Sequence, residues 1–234
     1  MKDLVYVSGG FVRLDAAMAD DWSVVNAARV SFAKHDQENE RTSMSEVDKV
    51  DKGLINFLMR ERHGTPFEHN AFRFHVKCPV FVAREWFRHR IGSFNEFSAR
   101  YSEVPNEFFV PKLSEVRKQT GKPGAYTYEQ VEMSLAIDTY EIIAKANNDA
   151  YDAYRQMLDK GIAKELARAV LPVSMYTQFY WTVNARSLMN FLSLRQHESA
   201  QRDIREYANA VCELASPVMP VTFAAWEQNS RIAP

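Results

Sequence analysis

The chain is poor in cysteine, in glycine-rich motifs and in long apolar runs, and each shortage excludes a class of protein. Its 234 residues include two cysteines, Cys78 and Cys212, whose spacing fits neither a zinc site nor a disulfide framework. The glycines form no G-x-G-x-x-G pattern and no phosphate-binding P-loop. No run of eighteen apolar residues occurs, and the N-terminus lacks a signal-peptide pattern. We therefore expect a soluble, cytoplasmic protein with no metal and no membrane partner.

The chain also lacks an excess of either charge. With 29 basic and 30 acidic side chains its formal charge is −1, and its pI is about 6.6. A general nucleic-acid-binding protein would carry a clear basic excess, so we expect no nucleic-acid partner. Apolar residues make up 46% of the sequence, which is typical of globular proteins. Any cluster of arginines should therefore act locally.

Hydrophobic periodicity predicts a single α+β domain over residues 1–234, with a mainly antiparallel sheet packed with several long helices. The predicted strands are a hairpin over residues 4–14, with its turn at residues 8–10, and single strands over 72–78 and 176–183. The predicted helices follow Asp20 and Asp21, begin at Ser45, and cover residues 80–90, 127–160, 162–170, 185–195 and about 198–214.

Local signals predict where several of these elements end. Gly64 is expected to end the second helix in a left-handed conformation. Gly92 is expected to break the following helix, so that residues 93–101 form a loop. Thr127 carries a capping-box signature and should start the long helix. The proline- and glycine-containing residues 112–126 are predicted to be a surface insertion.

Many polar and charged side chains lie within residues 88–101, immediately after an apolar run. They contain three arginines, a histidine, two serines, an asparagine and a glutamate. A guanidinium group is always charged at neutral pH, and its five donors match phosphate or carboxylate oxygens. The segment therefore predicts an anion-binding site, although a solvated basic surface would have the same composition.

Arg195 occupies an unusual position on its predicted helix. With Leu188, Phe191 and Leu192 it follows the spacing i, i+3, i+4 and i+7, so it continues an apolar stripe. Burying an unpaired guanidinium there would be very costly. Either Arg195 extends to solvent at the helix end, or it faces an anionic or polarisable ligand across an apolar pocket. The sequence leaves both possibilities open.

Three ordered motifs resemble the flavin-dependent thymidylate synthases, the ThyX family. The first is Arg88-His89-Arg90 followed, after seven residues, by Ser98. The second is residues 63–69, His-Gly-Thr-Pro-Phe-Glu-His, and the third runs from Asn184 through Asn190 to Arg195. The similarity extends from about residue 11 to about residue 226, which is most of the chain. Three motifs in the same order make a chance match very improbable.

The resemblance implies a reaction and an assembly. It implies conversion of dUMP to dTMP, with 5,10-methylenetetrahydrofolate as the carbon donor, FAD as the cofactor and NADPH as its reductant. No enzymic cysteine nucleophile is involved in this family, which agrees with packing roles for both cysteines. The family is typically a homotetramer with shared active sites. That assembly would explain the two apolar flanks of the long helix, for which burial in the core is the alternative.

The resemblance also implies roles for individual residues. Arg195 is the catalytic residue, which polarises the uracil ring of dUMP and favours ionisation at N3. The implied dUMP-binding residues are Glu85, Trp86, Phe87, Arg88, Glu96, Phe97, Ser98, Ala99, Arg100, Arg168 and Arg195. The implied FAD contacts are Thr65, Arg88, His89, Arg90, Glu96, Asn184, Ala185, Arg186 and Asn190. His63 is implied to lie near the flavin, where folate or nicotinamide would stack.

One position departs from the family pattern, and other functions remain conceivable. Where relatives commonly have glutamine, this chain has Glu85, whose charge would repel a phosphate unless Arg84 or Arg88 neutralises it.

The alternative function is a non-catalytic nucleotide or RNA-binding module that uses residues 88–101, whose phenylalanines and tyrosine could stack on bases. An oligomeric helical scaffold is a third possibility, which leaves the polar motifs unexplained.

Overall fold

The computed structural model describes residues 3–32, 47–122 and 124–234. Its strands are β1 (Leu4–Val7), β2 (Gly10–Met18), β3 (Ala71–Pro79), β4 (Ser93–Glu96), β5 (Arg117–Lys122), β6 (Ala125–Gln130) and β7 (Tyr176–Asn184). Its α-helices are α1 (Asp21–Arg29), α2 (Lys49–Arg60), α3 (Thr65–Glu68), α4 (Val80–Trp86), α5 (Met133–Asp159), α6 (Lys164–Ala167), α7 (Ala185–Arg195), α8 (Arg202–Ala215) and α9 (Pro220–Gln228). These elements confirm the predicted α+β class.

Five strands form one sheet, in the order β1-β2-β3-β7-β4. Strand β2 pairs antiparallel with both β1 and β3, and Val12 lies opposite Val76. The predicted β1–β2 hairpin turns at Ser8 and Gly9, whose φ angles are 43° and 80°. Strand β3 alternates as predicted, with Phe74 and Val76 on its buried face.

The chain divides into two compact units. The first contains Met1–Lys77, Glu85–Asn95 and Gln178–Pro234, and the second contains Cys78–Arg84 and Glu96–Thr177. In the second unit, α5 packs on the loop before it, and the Tyr154 hydroxyl accepts a hydrogen bond of 3.0 Å from the Val104 amide. Because each unit is built from separate stretches of sequence, the chain passes from one unit to the other several times.

The core of the first unit is an aromatic cluster. Trp86 stacks on Phe191 with their ring centroids 4.7 Å apart, and it meets Trp181 edge-on at 5.3 Å. Phe179 and Tyr207 complete the ring contacts of Trp86. All of these side chains are buried. Because Phe191 belongs to α7, the cluster fixes α7 against the end of α4.

Helix α9 is absent from the sequence-based prediction because its start is capped from a distant part of the chain. No side chain at Met219 caps this helix. Instead the buried carboxylate of Asp21, in α1, accepts hydrogen bonds from the Val221 amide at 3.0 Å and the Thr222 amide at 2.8 Å. This carboxylate satisfies amide groups that a local cap usually satisfies.

Of two predictions around the second helix, one lies outside the described residues and the other is wrong. Helix α2 starts at Lys49 with Asp48 as its N-cap, whereas the predicted start, Ser45, lies outside the described residues. Gly64 is right-handed, with a φ of −71°, and the left-handed residue after α2 is Arg62, with a φ of 58°. The prediction for Gly64 is therefore wrong, and this glycine serves a close contact within the site.

Three further boundaries differ from the prediction. Helix α4 stops at Trp86 because the chain then tightens into i→i+3 hydrogen bonds, so Gly92 does not end it. The expected loop over residues 93–101 begins with the edge strand β4. Thr127 lies in β6 and does not start α5, because residues 117–130 form an exposed hairpin. This hairpin occupies much of the predicted insertion.

Candidate functional site

A cleft of about 700 Å³ opens in the first unit between the segment after α4 and one side of α7. The predicted site residues that line it are Arg88, His89, Arg90, Asn184, Arg186, Asn190 and Arg195. Two motifs that lie about a hundred positions apart in the sequence therefore meet in one cavity. Four of these side chains are arginines, so the cleft is a concentrated source of hydrogen-bond donors and positive charge.

The start of helix α7 is fixed by an N-cap that the sequence predicts, and this fixes where its polar side chains lie. It spans the predicted residues 185–195, and the Asn184 side chain accepts a hydrogen bond of 2.8 Å from the Ser187 amide. The Ala185 amide donates to the Asn70 carbonyl oxygen at 3.2 Å, which ties the helix start to the chain before β3. Arg186 near its beginning and Arg195 at its end both line the cleft as a result.

Arg186 is held by two partners. Its Nε donates to the Pro234 carbonyl oxygen at 2.7 Å, and one terminal nitrogen forms an ion pair of 2.5 Å with Glu68. Gly64 explains how the guanidinium reaches this place: a Cβ atom on Gly64 would lie 2.4 Å from the Arg186 Nε. Gly64 therefore allows the Arg186 side chain to approach closely, whereas its predicted role was to end a helix.

Arg195 is fixed by three hydrogen bonds. Its Nε donates to the His89 Nε2 at 2.9 Å, one terminal nitrogen donates to the Glu85 carboxylate at 3.1 Å, and the other donates to the Glu85 carbonyl oxygen at 3.1 Å. The Arg195 side chain is 21% exposed and that of Glu85 is 28% exposed. The guanidinium is therefore paired and partly buried at the cleft. It does not extend freely into solvent.

The same contacts show which group pairs with Glu85. The sequence offered Arg84 or Arg88 as cations that could neutralise its carboxylate, whereas the ion pair runs to Arg195, more than a hundred positions away. Burial raises the pKa of Glu85, Arg195 opposes that shift, and Asp203 adds to it.

His89 is electrically neutral in this arrangement. Burial, followed by the positive charge of Arg195, lowers the pKa of His89 to about 4. A neutral ring is also what the hydrogen bond requires, because the Nε2 lone pair accepts the Arg195 proton. The Phe191 ring meets the imidazole edge-on with the centroids 4.9 Å apart. His89 thus lies between the aromatic core and the catalytic candidate.

Other predicted site residues of the first unit lie outside this cleft. His63 and Thr65 line a second cavity of about 780 Å³, where the His63 ring meets Phe57 edge-on at 5.9 Å. The Trp86 and Ala185 side chains are buried, so their contribution to a ligand would come through the backbone. Phe87 is half-buried and packs on Phe94 and Phe179.

The remaining predicted site residues belong to the second unit. The Ser98 hydroxyl accepts a hydrogen bond of 3.3 Å from the Arg100 amide, and the Arg100 side chain lies 3.6 Å from Glu165. Glu96 accepts 2.6 Å from the Thr177 hydroxyl. The Ala99 side chain is buried, Phe97 packs against the core of this unit, and Arg168 is exposed.

Several cleft residues were not predicted. They are Glu68, Ile91, Ser187, Leu194, Ala233 and Pro234. Glu68 lies inside the second sequence motif, and Ser187 and Leu194 lie inside the third, so the motifs contained these positions without distinguishing them. The last two carry no sequence signal for a site. Within the described ranges, no helix has the length and apolarity needed to cross a bilayer.

Comparison with known proteins gives consistent matches over nearly the whole chain. Residues 13–221 match the family model described as thymidylate synthase complementing protein. The flavin-dependent thymidylate synthase of Thermosipho melanesiensis is 47% identical over 217 residues, which cover 93% of this chain and 90% of that protein. The corresponding protein of Thermus thermophilus is 43% identical over 220 residues, which cover 94% and 76%.

Solved structures of one protein agree with these matches. The UMP/dUMP methylase PolB from Streptomyces cacaoi, bound with 5-Br dUMP, has a TM-score of 0.88 and 42% identity, covering 97% of this chain and 99% of that one. Bound with 5-Br UMP, it has a TM-score of 0.87 and 40% identity, covering 97% of each. The fold and these matches define an α+β enzyme, and its arginine-lined cleft is the candidate site. The chain belongs to the flavin-dependent thymidylate synthase family, as its three motifs predicted.

Proposed function

We propose that the chain catalyses the reductive methylation of dUMP to dTMP, with 5,10-methylenetetrahydrofolate as the carbon donor and NADPH as the reductant of a bound FAD. The observation that carries the proposal is the fixed guanidinium of Arg195 at a cleft that three further arginines line. Phosphate groups and a pyrimidine ring that becomes anionic are the ligands such a site favours.

The donor set of the cleft fits FAD. Arg88, Arg90 and Arg186 offer charged donors for a diphosphate, and Asn190 offers a neutral amide. We assign FAD contacts to Thr65, Arg88, His89, Arg90, Glu96, Asn184, Ala185, Arg186 and Asn190, with His63 beside the place for folate or nicotinamide. Bound FAD would supply the hydride-transfer chemistry, while the protein binds, orients and polarises.

Arg195 is the catalytic residue in this proposal. A guanidinium has five N–H donors, of which three bind His89 and Glu85, so one on each terminal nitrogen keeps no partner among the described residues. Fixed charged donors suit a uracil ring that loses its N3 proton, because they stabilise the charge that develops. The other dUMP contacts are assigned to Glu85, Trp86, Phe87, Arg88, Glu96, Phe97, Ser98, Ala99, Arg100 and Arg168.

The properties of the two cysteines support a mechanism without a cysteine nucleophile. The nucleophile would have to be a thiolate. Burial raises the pKa of Cys78 well above its usual value, and the nearby Glu96 adds to this shift. Burial also raises the pKa of Cys212. Both thiols therefore stay protonated at neutral pH, and neither lines the arginine cleft.

We further infer a homotetramer with shared active sites. The first half of α5 exposes a series of large apolar side chains, which are Met133, Leu135, Ile137, Tyr140 and Ile142. By helical spacing Met133, Ile137 and Tyr140 share one face and Leu135 and Ile142 share the opposite one, and exposed apolar faces of this kind mark interaction sites. In the proposed assembly, a second copy of the chain would cover these side chains.

The direct test of the proposed function uses purified protein. A yellow preparation that releases FAD on denaturation, and that forms dTMP only when dUMP, methylenetetrahydrofolate and NADPH are all present, is the expected result. A colourless protein that also takes up no added FAD would contradict the proposal and favour the nucleotide-binding alternative. Each component should be omitted in turn.

A second candidate substrate is UMP. Two solved structures that match this chain are of a protein described as a UMP/dUMP methylase, and one of them holds 5-Br UMP. The same assay should therefore be run with UMP and with dUMP at equal concentration. Product from both nucleotides would extend the proposed substrate class to ribonucleotides, whereas product from dUMP alone would restrict it to thymidylate synthesis.

Gly64→Ala is expected to weaken FAD binding about tenfold, which corresponds to part of one charged hydrogen bond. The new Cβ would lie within 2.8 Å of three Arg186 side-chain atoms, so the guanidinium would have to shift, which disturbs its contacts with Glu68 and Pro234. Titration of the FAD-free protein with FAD measures the effect. Gly53→Ala is the matched control, since nothing lies within 4 Å of its added Cβ. Equal affinities for both variants would show that the place of Arg186 does not matter.

A further inference from the structure

The pairing of Glu85 with Arg195 sets a carboxylate against the guanidinium to which the proposed function assigns catalysis. Glu85 contributes two acceptors to this contact, one carboxylate oxygen and its own carbonyl oxygen, each 3.1 Å from a terminal nitrogen of Arg195. Both side chains are largely removed from water, so their charges interact more strongly than a surface pair. A contact this close affects both the geometry and the charge of Arg195.

We propose that Glu85 is a positioning residue for Arg195 with two separable effects: its oxygen atoms fix the guanidinium, and its negative charge weakens the attraction of the site for an anionic nucleotide. This inference rests on the proposed function, because it assumes that dUMP binds beside Arg195. This effect of Glu85 acts through Arg195 and does not depend on the dUMP contact that the proposed function also assigns to Glu85.

The geometric effect follows from the use of the Arg195 donors. With His89 holding the Nε and Glu85 holding one proton on each terminal nitrogen, the plane of the guanidinium is set. The positions of the two remaining donors are thereby fixed before the ring becomes charged, so little reorganisation is needed. Without the carboxylate oxygen, the Arg195 guanidinium loses one of the three acceptors that fix its plane, and it can rotate about the last bonds of its side chain.

The charge effect follows from the same distance. An ionised carboxylate beside Arg195 offsets its positive potential, and Asp203 adds negative charge near Glu85. A dUMP phosphate and an ionised uracil are both anionic, so both experience a weaker attraction than Arg195 alone would exert. Glutamine keeps an acceptor oxygen at the same place but carries no charge. Substitution by glutamine or alanine therefore separates the two effects.

The test measures dUMP binding by calorimetry and steady-state turnover on FAD-loaded protein. Glu85→Gln is expected to bind dUMP about three- to tenfold more tightly, with kcat within about threefold of the original, because the charge is lost and the acceptor remains. Glu85→Ala is expected to lower kcat about tenfold or more, since the side-chain anchor is lost as well. High salt should reduce the gain in affinity of the glutamine variant.

Glu206→Gln is the matched control. Glu206 pairs with Arg202 at 2.8 Å, the two side chains are 33% and 29% exposed, and neither lines the cleft. Its loss of charge should leave the affinity for dUMP unchanged. If this control tightens binding as much as Glu85→Gln does, the effect belongs to net charge and the inference fails.

Two other results would overturn the inference. Unchanged or weaker dUMP binding by Glu85→Gln would refute the charge effect, and a loss of kcat in that variant as large as in Glu85→Ala would refute the positioning effect. If Glu85→Ala does not fold, the binding measurement on Glu85→Gln still decides. Failure of the proposed function is distinguishable, because the unaltered protein would then bind neither FAD nor dUMP.

Discussion

Arg195→Ala is expected to lower dTMP formation by about a thousandfold or more, while reduction of the bound flavin by NADPH continues at close to its original rate. The reason is that loss of preorganised donors at a site of developing charge typically costs two to three orders of magnitude, and Arg195 offers two such donors. Flavin reduction involves no charge on the pyrimidine. Stopped-flow reduction and product analysis on the same preparation measure the two steps separately.

The control for this prediction is Arg205→Ala. Arg205 lies on α8 and donates to the Glu198 carbonyl oxygen at 3.2 Å on the exposed surface, so both steps should be unaffected. If Arg195→Ala slows flavin reduction as much as product formation, the residue supports flavin binding in general and its assignment to the pyrimidine is wrong. A variant that forms dTMP at the original rate would exclude any catalytic role.

Trp86→Ala is expected to lower the free energy of unfolding by about 3–5 kcal/mol, the range for removal of a large buried aromatic side chain. For a chain of this size that loss corresponds to roughly 6–20 °C in melting temperature. Trp86 is fully buried and contacts Phe191, Trp181, Phe179 and Tyr207, so the cavity cannot close without moving α7. Urea unfolding followed by circular dichroism measures the change.

Tyr6→Ala serves as the comparison, because the Tyr6 side chain is 78% exposed on β1. It should change the unfolding free energy by less than about 1 kcal/mol, as surface substitutions usually do. A Trp86→Ala protein as stable as the Tyr6→Ala protein would mean that the aromatic cluster does not hold α7 in place. A variant too unstable to purify would still agree with the prediction.

Elements with a strong local signal could be predicted from the sequence. Helix α7 has the predicted bounds because Asn184 supplies its own N-cap, and β3 follows because its apolar residues alternate. Strand β7 follows because its residues are aromatic and β-branched. Elements that depend on distant partners could not be predicted. The start of α9 is capped by Asp21, and the hairpin β5–β6 contains a threonine that also fits a helix cap.

The residues of the candidate site likewise fall into those that could be predicted from the sequence and those that could not. The family resemblance and the apolar stripe before Arg195 identified this residue and its cleft partners in the motif at residues 88–90. The partner of Glu85 could not be predicted, because only its sequence neighbours Arg84 and Arg88 were considered as cations, whereas the fold brings Arg195 to it. The predicted role of Gly64 was wrong, since a glycine that ends a helix and one that admits a guanidinium look identical in a single sequence.

The contact between Asp21 and the amides of Val221 and Thr222 joins positions 200 and 201 residues apart. Closing so long a segment costs chain entropy, which the hydrogen bonds and the burial of this contact must offset. Helices α1 and α9 are therefore expected to become stable together. A deletion of residues 220–228 would leave the Asp21 carboxylate without the two backbone donors whose hydrogen bonds it accepts here.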